Sequence, residues 1–162
     1  MSDKSTNPML LASQLARTLN NTFWANAEQG VIYGIYLWDM YAVPNTVIPY
    51  QLNIKVFAPS SGYYADSRQY RGGITLDGAI LMSNSTDGYQ GRMVNGINGD
   101  TMIWTDGSLW KRVNIKPDNT IDQYSAEGAL EDAKIASAWY NKTYNATYPA
   151  NIGYLPWGTG LQ

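Results

Sequence analysis

Residues 50–58, YQLNIKVFA, alternate without a break: Tyr50, Leu52, Ile54, Val56 and Ala58 fall on one side, Gln51, Asn53 and Lys55 on the other. Only a backbone with a two-residue period puts that apolar set on one face and wets the other. The pattern predicts a half-solvated antiparallel strand. Downstream, short runs at 74–82, 89–94, 101–105 and 109–115 are separated by Asp-Gly and Asn-Gly pairs, which favour hairpin turns. Upstream, residues 31–43 (VIYGIYLWDMYAV) are apolar on both faces, as in a strand contacted from two sides, and Pro44 and Pro49 close the run.

Two helices flank these strands. Asn7-Pro8 reads as an N-cap followed by proline at the first helical position, and Leu11, Leu15, Leu19 and Phe23 recur every fourth residue. This predicts an amphipathic helix over 8–28, stopped near Gly30. Residues 125–141 form a second, alanine-rich helix in which Ala126, Ala129, Ala133, Ala136 and Ala138 permit close approach, with Trp139 and Tyr140 anchoring its end. The expected fold is α+β, mainly β: an antiparallel sheet or sandwich with an N-terminal amphipathic helix and a C-terminal Ala-rich helix. At 162 residues the chain is expected to make a single domain, 1–162, with an N-terminal arm at 1–7 and an extended C-terminal arm at 144–162. Within the latter, Tyr154, Pro156 and Trp157 are the expected assembly contacts.

Cysteine and histidine are both absent. Disulfides, thiolate nucleophiles, imidazole general bases, haem and ordinary zinc sites therefore fall together. No Walker loop, nucleophile elbow or dinucleotide glycine pattern is present, so the chain is expected not to be an enzyme and to need no cofactor or metal. A formal charge of -2 gives no field suited to a phosphate backbone, and nucleic acid is not an expected partner. The first residues, MSDKSTNPM, carry no signal-peptide pattern, and no apolar run approaches the ~18 residues of a membrane span. The expectation is a soluble chain made in the cytoplasm, without membrane insertion.

Aromatic usage points to contact surfaces. Thirteen Tyr and six Trp stand against two Phe, so most rings bring a polar handle along with an apolar face. Segment 59–73 (PSSGYYADSRQYRGG) reads as a long aperiodic loop that concentrates Tyr63, Tyr64, Arg68, Tyr70 and Arg71 among Ser and Gly. Rigid rings with adaptable polar neighbours are the vocabulary of antigen-combining loops, and they suit a glycan or a protein partner. The hairpin at 101–115 has two readings. A two-residue Asp106-Gly107 loop pairs Ile103 with Trp110 and places Trp110 beside Arg112 on the exposed face; a three-residue loop with a bulge shifts the pairing, puts Met102 and Trp110 together on one face and returns the indole to the core. The carboxylates sit at turns: Asp77, Asp87 and Asp106 each precede Gly, and Asp118 lies in Pro-Asp-Asn-Thr.

In composition the chain is similar to phage head and tail proteins and other virion subunits, rich in Asn, Gly, Thr and Tyr and low in charge; the similarity involves no motif. It implies a non-catalytic structural or attachment subunit of a larger assembly, with other copies of itself or other structural proteins as partners and the virion as its location. The alternative is a soluble lectin-like module in which Tyr63, Tyr64, Tyr70 and Trp110 stack on sugars. A glycoside hydrolase built on an Asp/Glu pair ranks below both.

Overall fold

A computed structural model describes residues 8–144, apart from 28, 45, 62, 84–87, 95–98, 106, 107 and 119. The fold is α+β and mainly β. One antiparallel sheet of eight strands closes on itself as an up-and-down barrel. The strands are β1 (Thr22–Asn26), β2 (Val31–Leu37), β3 (Tyr50–Ser60), β4 (Tyr63–Ile74), β5 (Ile80–Ser83), β6 (Gly88–Val94), β7 (Thr101–Trp104) and β8 (Leu109–Val113). Helix α1 (Pro8–Leu19) precedes them and α2 (Gln123–Tyr144) follows. Closure comes from β1 pairing with β8, Phe23 opposite Val113 and Asn26 opposite Trp110, so the first and last strands leave no free sheet edge between them.

Alternation sorts the side chains. Tyr50, Leu52, Ile54 and Val56 point inward as their period requires, and cross-strand partners share their face: Ile35 lies opposite Ile54 and Leu37 opposite Leu52. The core inside the barrel is aromatic: Tyr33 stacks on Trp110 with centroids 4.1 Å apart, and Trp110 lies 4.5 Å from Trp104. A second, outer cluster of Phe23, Ala25, Ile32 and Val113 is covered by Ala126 and Ala129 of α2. Asp122 caps α2, its carboxylate accepting from the N–H groups of Tyr124 at 3.0 Å and Ser125 at 3.3 Å. Alanines let this helix lie close on β8 and β1. Beyond Ala133, Ala136 and Ser137 are half-buried, and Trp139, expected to anchor the helix end, is 61% exposed.

Helix α1 ends at Leu19, not near residue 28. Asn21 takes a left-handed conformation (φ 64°), which breaks the helix, and TFWAN then extends as β1. The four-residue spacing that joins Phe23 to the leucines is a coincidence of a helix running into a strand. Phe23 faces the outer cluster, whereas Ala12, Leu15, Ala16 and Leu19 turn into the barrel core. Burying Leu15 and Leu19 contributes roughly 1.5–3 kcal/mol each. At the junction Thr22 Oγ1 donates to the Leu19 carbonyl at 2.6 Å and accepts from Trp24 Nε1 at 2.8 Å, while Asn20 Oδ1 accepts the Leu37 N–H at 3.0 Å.

Connections between antiparallel neighbours alternate between the two ends of a barrel. The α1–β1, β2–β3, β4–β5 and β6–β7 connections lie at one end, and α1 packs there against β2, β3 and β4 as a stopper. The β1–β2, β3–β4, β5–β6 and β7–β8 connections surround the other end, the mouth.

Candidate functional site

Two further sequence expectations are corrected here, and the hairpin that had two readings takes one of them. The strand read at 31–43 stops at Leu37, and residues 38–49 form the β2–β3 connection at the stoppered end. It is held by backbone bonds from Trp38 N to the Gln51 carbonyl and from Val43 N to the Pro49 carbonyl. The loop read at 59–73 is strand: β3 and β4 make a long hairpin turning at Ser61, with a bulge between Val56 and Phe57. β5 pairs only with Arg71–Ile74, and in the outer part of β4 Tyr63 and the run Asp66–Gln69 are exposed while Tyr64, Ala65 and Tyr70 are half-buried, so burial there follows no two-residue period. In the β7–β8 hairpin, Met102 lies opposite Trp110 and Ile103 opposite Leu109, the register of the reading that returns Trp110 to the core. Trp110 is consequently buried, at 1% exposure.

The seven expected binding residues divide among four places. Tyr63 and Tyr64 sit at the start of β4, flanking surface grooves of about 270 and 220 Å³ that run towards Gln123 of α2 and the Lys116–Ile121 segment. Burial, and then the Glu127 charge, raise the Tyr64 phenol above its ordinary 10.0. Arg68 places its guanidinium 5.8 Å from the Tyr70 ring, and Tyr70 lies opposite inward-facing Ile54. Arg71 points outward and covers the Trp38 ring at 4.9 Å. Arg112 lies opposite Trp24 in the register, with its guanidinium 5.6 Å from that ring. Tyr154, Pro156 and Trp157, with the arms at 1–7 and 145–162, lie outside the described residues; Tyr144, read as the start of the C-terminal arm, closes α2.

The stoppered end carries apolar side chains in water. Of the twelve exposed large hydrophobic residues described, eight fall on two segments there: Met9, Leu10 and Leu11 on α1, and Trp38, Met40, Tyr41, Val43 and Val47 on the β2–β3 connection. Tyr41 is 82% exposed and Val47 71%. Sequence reasoning assigned 38–43 to a buried strand. The apolar run was visible, but not its position past the last rung of the sheet.

At the mouth the barrel is hollow. A cavity of about 60 Å³ has a buried floor of Asn26, Tyr33, Ser108 and Trp110. Met82, Tyr70 and Tyr89 form its walls, and Gln29, whose Oε1 accepts from the Tyr33 hydroxyl at 2.9 Å, stands at the rim. Of the expected residues, Tyr70 and Trp110 meet here. Among the described residues, neither a carboxylate nor a cation lines this space. The indole N–H groups of Trp104 and Trp110 are buried and meet no acceptor among the described residues.

The described carboxylates with shifted acidity have structural partners. Arg92, 6% exposed, binds Asp77 twice, Nη2 to Oδ2 and Nη1 to the backbone carbonyl, both at 2.8 Å. Burial pushes the Asp77 carboxyl up, but hydrogen bonds from Thr75 and Arg92, with the Arg92 charge, outweigh it and hold the group below its ordinary 3.8. Asp100 is lowered mainly by the Thr101 hydroxyl, and Lys111 lies 3.7 Å away. No group of three or more acidic side chains suited to a metal ion occurs among the described residues, nor is any described helix long and apolar enough to cross a membrane. Comparison of the chain with protein-family models, curated proteins and solved structures finds no match in any of the three.

Proposed function

We propose that this chain is a non-catalytic structural subunit that works by contact, seating the stoppered end of its barrel against further copies of itself. One observation carries the reading: two segments at that end hold eight of the twelve exposed large hydrophobic side chains described. Large apolar side chains left in water are costly, and where they gather they mark contact sites in folded proteins. Its composition also suits an interface core, where aromatic residues and Met are enriched and charge is depleted. Asp39 is the single charged residue between Trp38 and Pro49. The virion is the assembly that the low-charge, Asn- and Tyr-rich composition favours, with the 145–162 segment as a second point of attachment.

Sedimentation velocity on the full chain over a range of concentrations tests this. The wild-type chain should show a concentration-dependent oligomer, and a Trp38→Ser, Tyr41→Ser, Val47→Asp triple variant should sediment as a monomer with an unchanged circular dichroism spectrum. Removing residues 150–162 should weaken assembly and leave the unfolding transition in place. A wild-type chain that stays monomeric at the highest concentration reached would refute the reading.

A further inference from the structure

We infer that the two adjoining grooves between the tip of the β3–β4 hairpin and the start of α2 bind a neutral disaccharide unit of a glycan. The inference is independent of the apolar surface at the stoppered end.

Three pieces of chain meet at this place. The hairpin tip supplies Tyr63 and Tyr64, the first turns of α2 supply Gln123 and Glu127, and the segment between β8 and α2 supplies Lys116 and Ile121. The grooves, of about 270 and 220 Å³, share Tyr63, Tyr64 and Gln123, so they run into one another as a single cleft open to solvent. Each alone is smaller than the ~300 Å³ at which pockets begin to enclose a whole drug-sized molecule. The cleft therefore suits a chain of small units, one to a groove.

The two tyrosines have different parts. Tyr64 and Ile121 are half-buried against the outer cluster and make the floor. Tyr63 is 58% exposed, a flat apolar face standing in water beside the cleft. A single open ring is a platform for the C–H face of a pyranose. A polyproline peptide instead needs a groove lined by several aromatic rings, and here the second ring is engaged below.

Polar groups surround that platform. Gln123 Nε2 donates to Glu127 Oε2 at 3.4 Å, which leaves the amide oxygen and the other carboxylate oxygen to accept. Neighbouring sugar hydroxyls both donate and accept; Glu127 answers the donors with a charged acceptor, and Gln123 and the exposed Ser60 and Ser61 hydroxyls answer either role. The lining among the described residues carries one charge of each sign, Glu127 in one groove and Lys116 in the other, so it selects neither an anion nor a cation. Gly62 and Asn119, which complete the two contributing connections, are uncharged.

The test is a titration of the full chain with cellobiose, maltose and lactose in turn, followed by its backbone amide signals in proton–nitrogen NMR. A disaccharide should move the Tyr63, Tyr64 and Gln123 signals saturably, and glucose, which fills one groove, should bind about tenfold more weakly. Tyr63→Ala should abolish the shifts, whereas Tyr63→Phe, which keeps the ring, should preserve them. In both variants the rest of the spectrum and the sedimentation of the chain should be unchanged, which separates this site from the contact surface. No shift with any of the three disaccharides, or a Tyr63→Ala chain that binds as wild type does, overturns the inference. Glucose binding as tightly as the disaccharide overturns the two-unit assignment. A peptide with the sequence of residues 145–162 that saturates the same signals, where no sugar does, overturns the glycan in favour of the chain's own arm.

Discussion

Replacing Gly91 by Ala adds one methyl group, and the structure gives it nowhere to go. Gly91 faces inward on β6 directly opposite Trp104 of β7. A Cβ there would lie 2.6 Å from both Cδ2 and Cε2 of the indole and 2.9 Å from Cε3, against the ~3.5–4.0 Å of an ordinary carbon contact. The ring would have to retreat by about 1 Å. It is 1% exposed, and Trp110 and then Tyr33 are packed behind it. Overpacking of this kind costs about 1–3 kcal/mol. The rigid aromatic stack puts Gly91→Ala near the upper end, and each kcal/mol lowers the melting temperature of a domain this size by about 2–4 °C. The same substitution at Gly128 has the opposite sign. No atom lies within 4 Å of a Cβ there, and a glycine inside a helix costs about 1 kcal/mol relative to alanine, so Gly128→Ala should stabilise by about that amount. Urea unfolding followed by tryptophan fluorescence measures both changes. Near-UV circular dichroism reports whether the stack shifts. A Gly91→Ala midpoint equal to wild type, or two midpoints moving in the same direction, would refute the packing described here.

Acid stability should carry the mark of the Arg92–Asp77 pair. A carboxyl whose acidity is lowered on folding contributes stability fully present above its unfolded value and lost as pH falls through the lowered folded value. Asp77→Asn should remove that portion of the acid limb, an effect below about 1 kcal/mol because the carboxylate is largely solvated, in urea midpoints taken from neutrality downward. At the other side of the barrel, Glu127→Gln should lower the Tyr64 phenol towards its ordinary 10.0 without reaching it, since burial is the larger cause and persists. Ultraviolet titration of tyrosinate formation, compared with a Tyr64→Phe variant, reads that shift; an unchanged curve would exclude Glu127 as a contributor.

How far the fold could be read depends on which interactions are local. Residues 50–58 gave their strand, face and inward set without ambiguity, because a half-buried strand writes its environment into every second side chain. The Asp-Gly and Asn-Gly spacing announced a run of hairpins, and Pro8 announced α1, for the same reason. Residues 63–70 were illegible as strand because a run of exposed residues, Asp66–Gln69, separates half-buried Tyr64 and Ala65 from half-buried Tyr70, so no alternation is written there. Closure was invisible too: whether β1 meets β8 or leaves an open sheet or sandwich is decided across some ninety residues, not within either strand. The candidate sites inherit these limits. Tyr70 and Trp110 were candidate binding residues from residue type alone, yet their meeting at the mouth depends on strand register and closure. Asn26, Gln29 and Ser108 looked like ordinary turn and strand residues, and only closure brings them round one cavity.

The pairing of Phe23 with Val113 also governs the order of folding. Seven of the eight strand pairs join neighbours in sequence and form by short hairpin closures; the eighth must bring together chain segments made far apart in time. Contacts of such span delay folding more than they alter final stability. Until they form, the outermost strands present bare amide edges to any neighbouring chain. Refolding at high dilution should therefore recover more native protein than refolding in concentrated solution, and the last step to complete should be the one that joins the beginning of the barrel to its end.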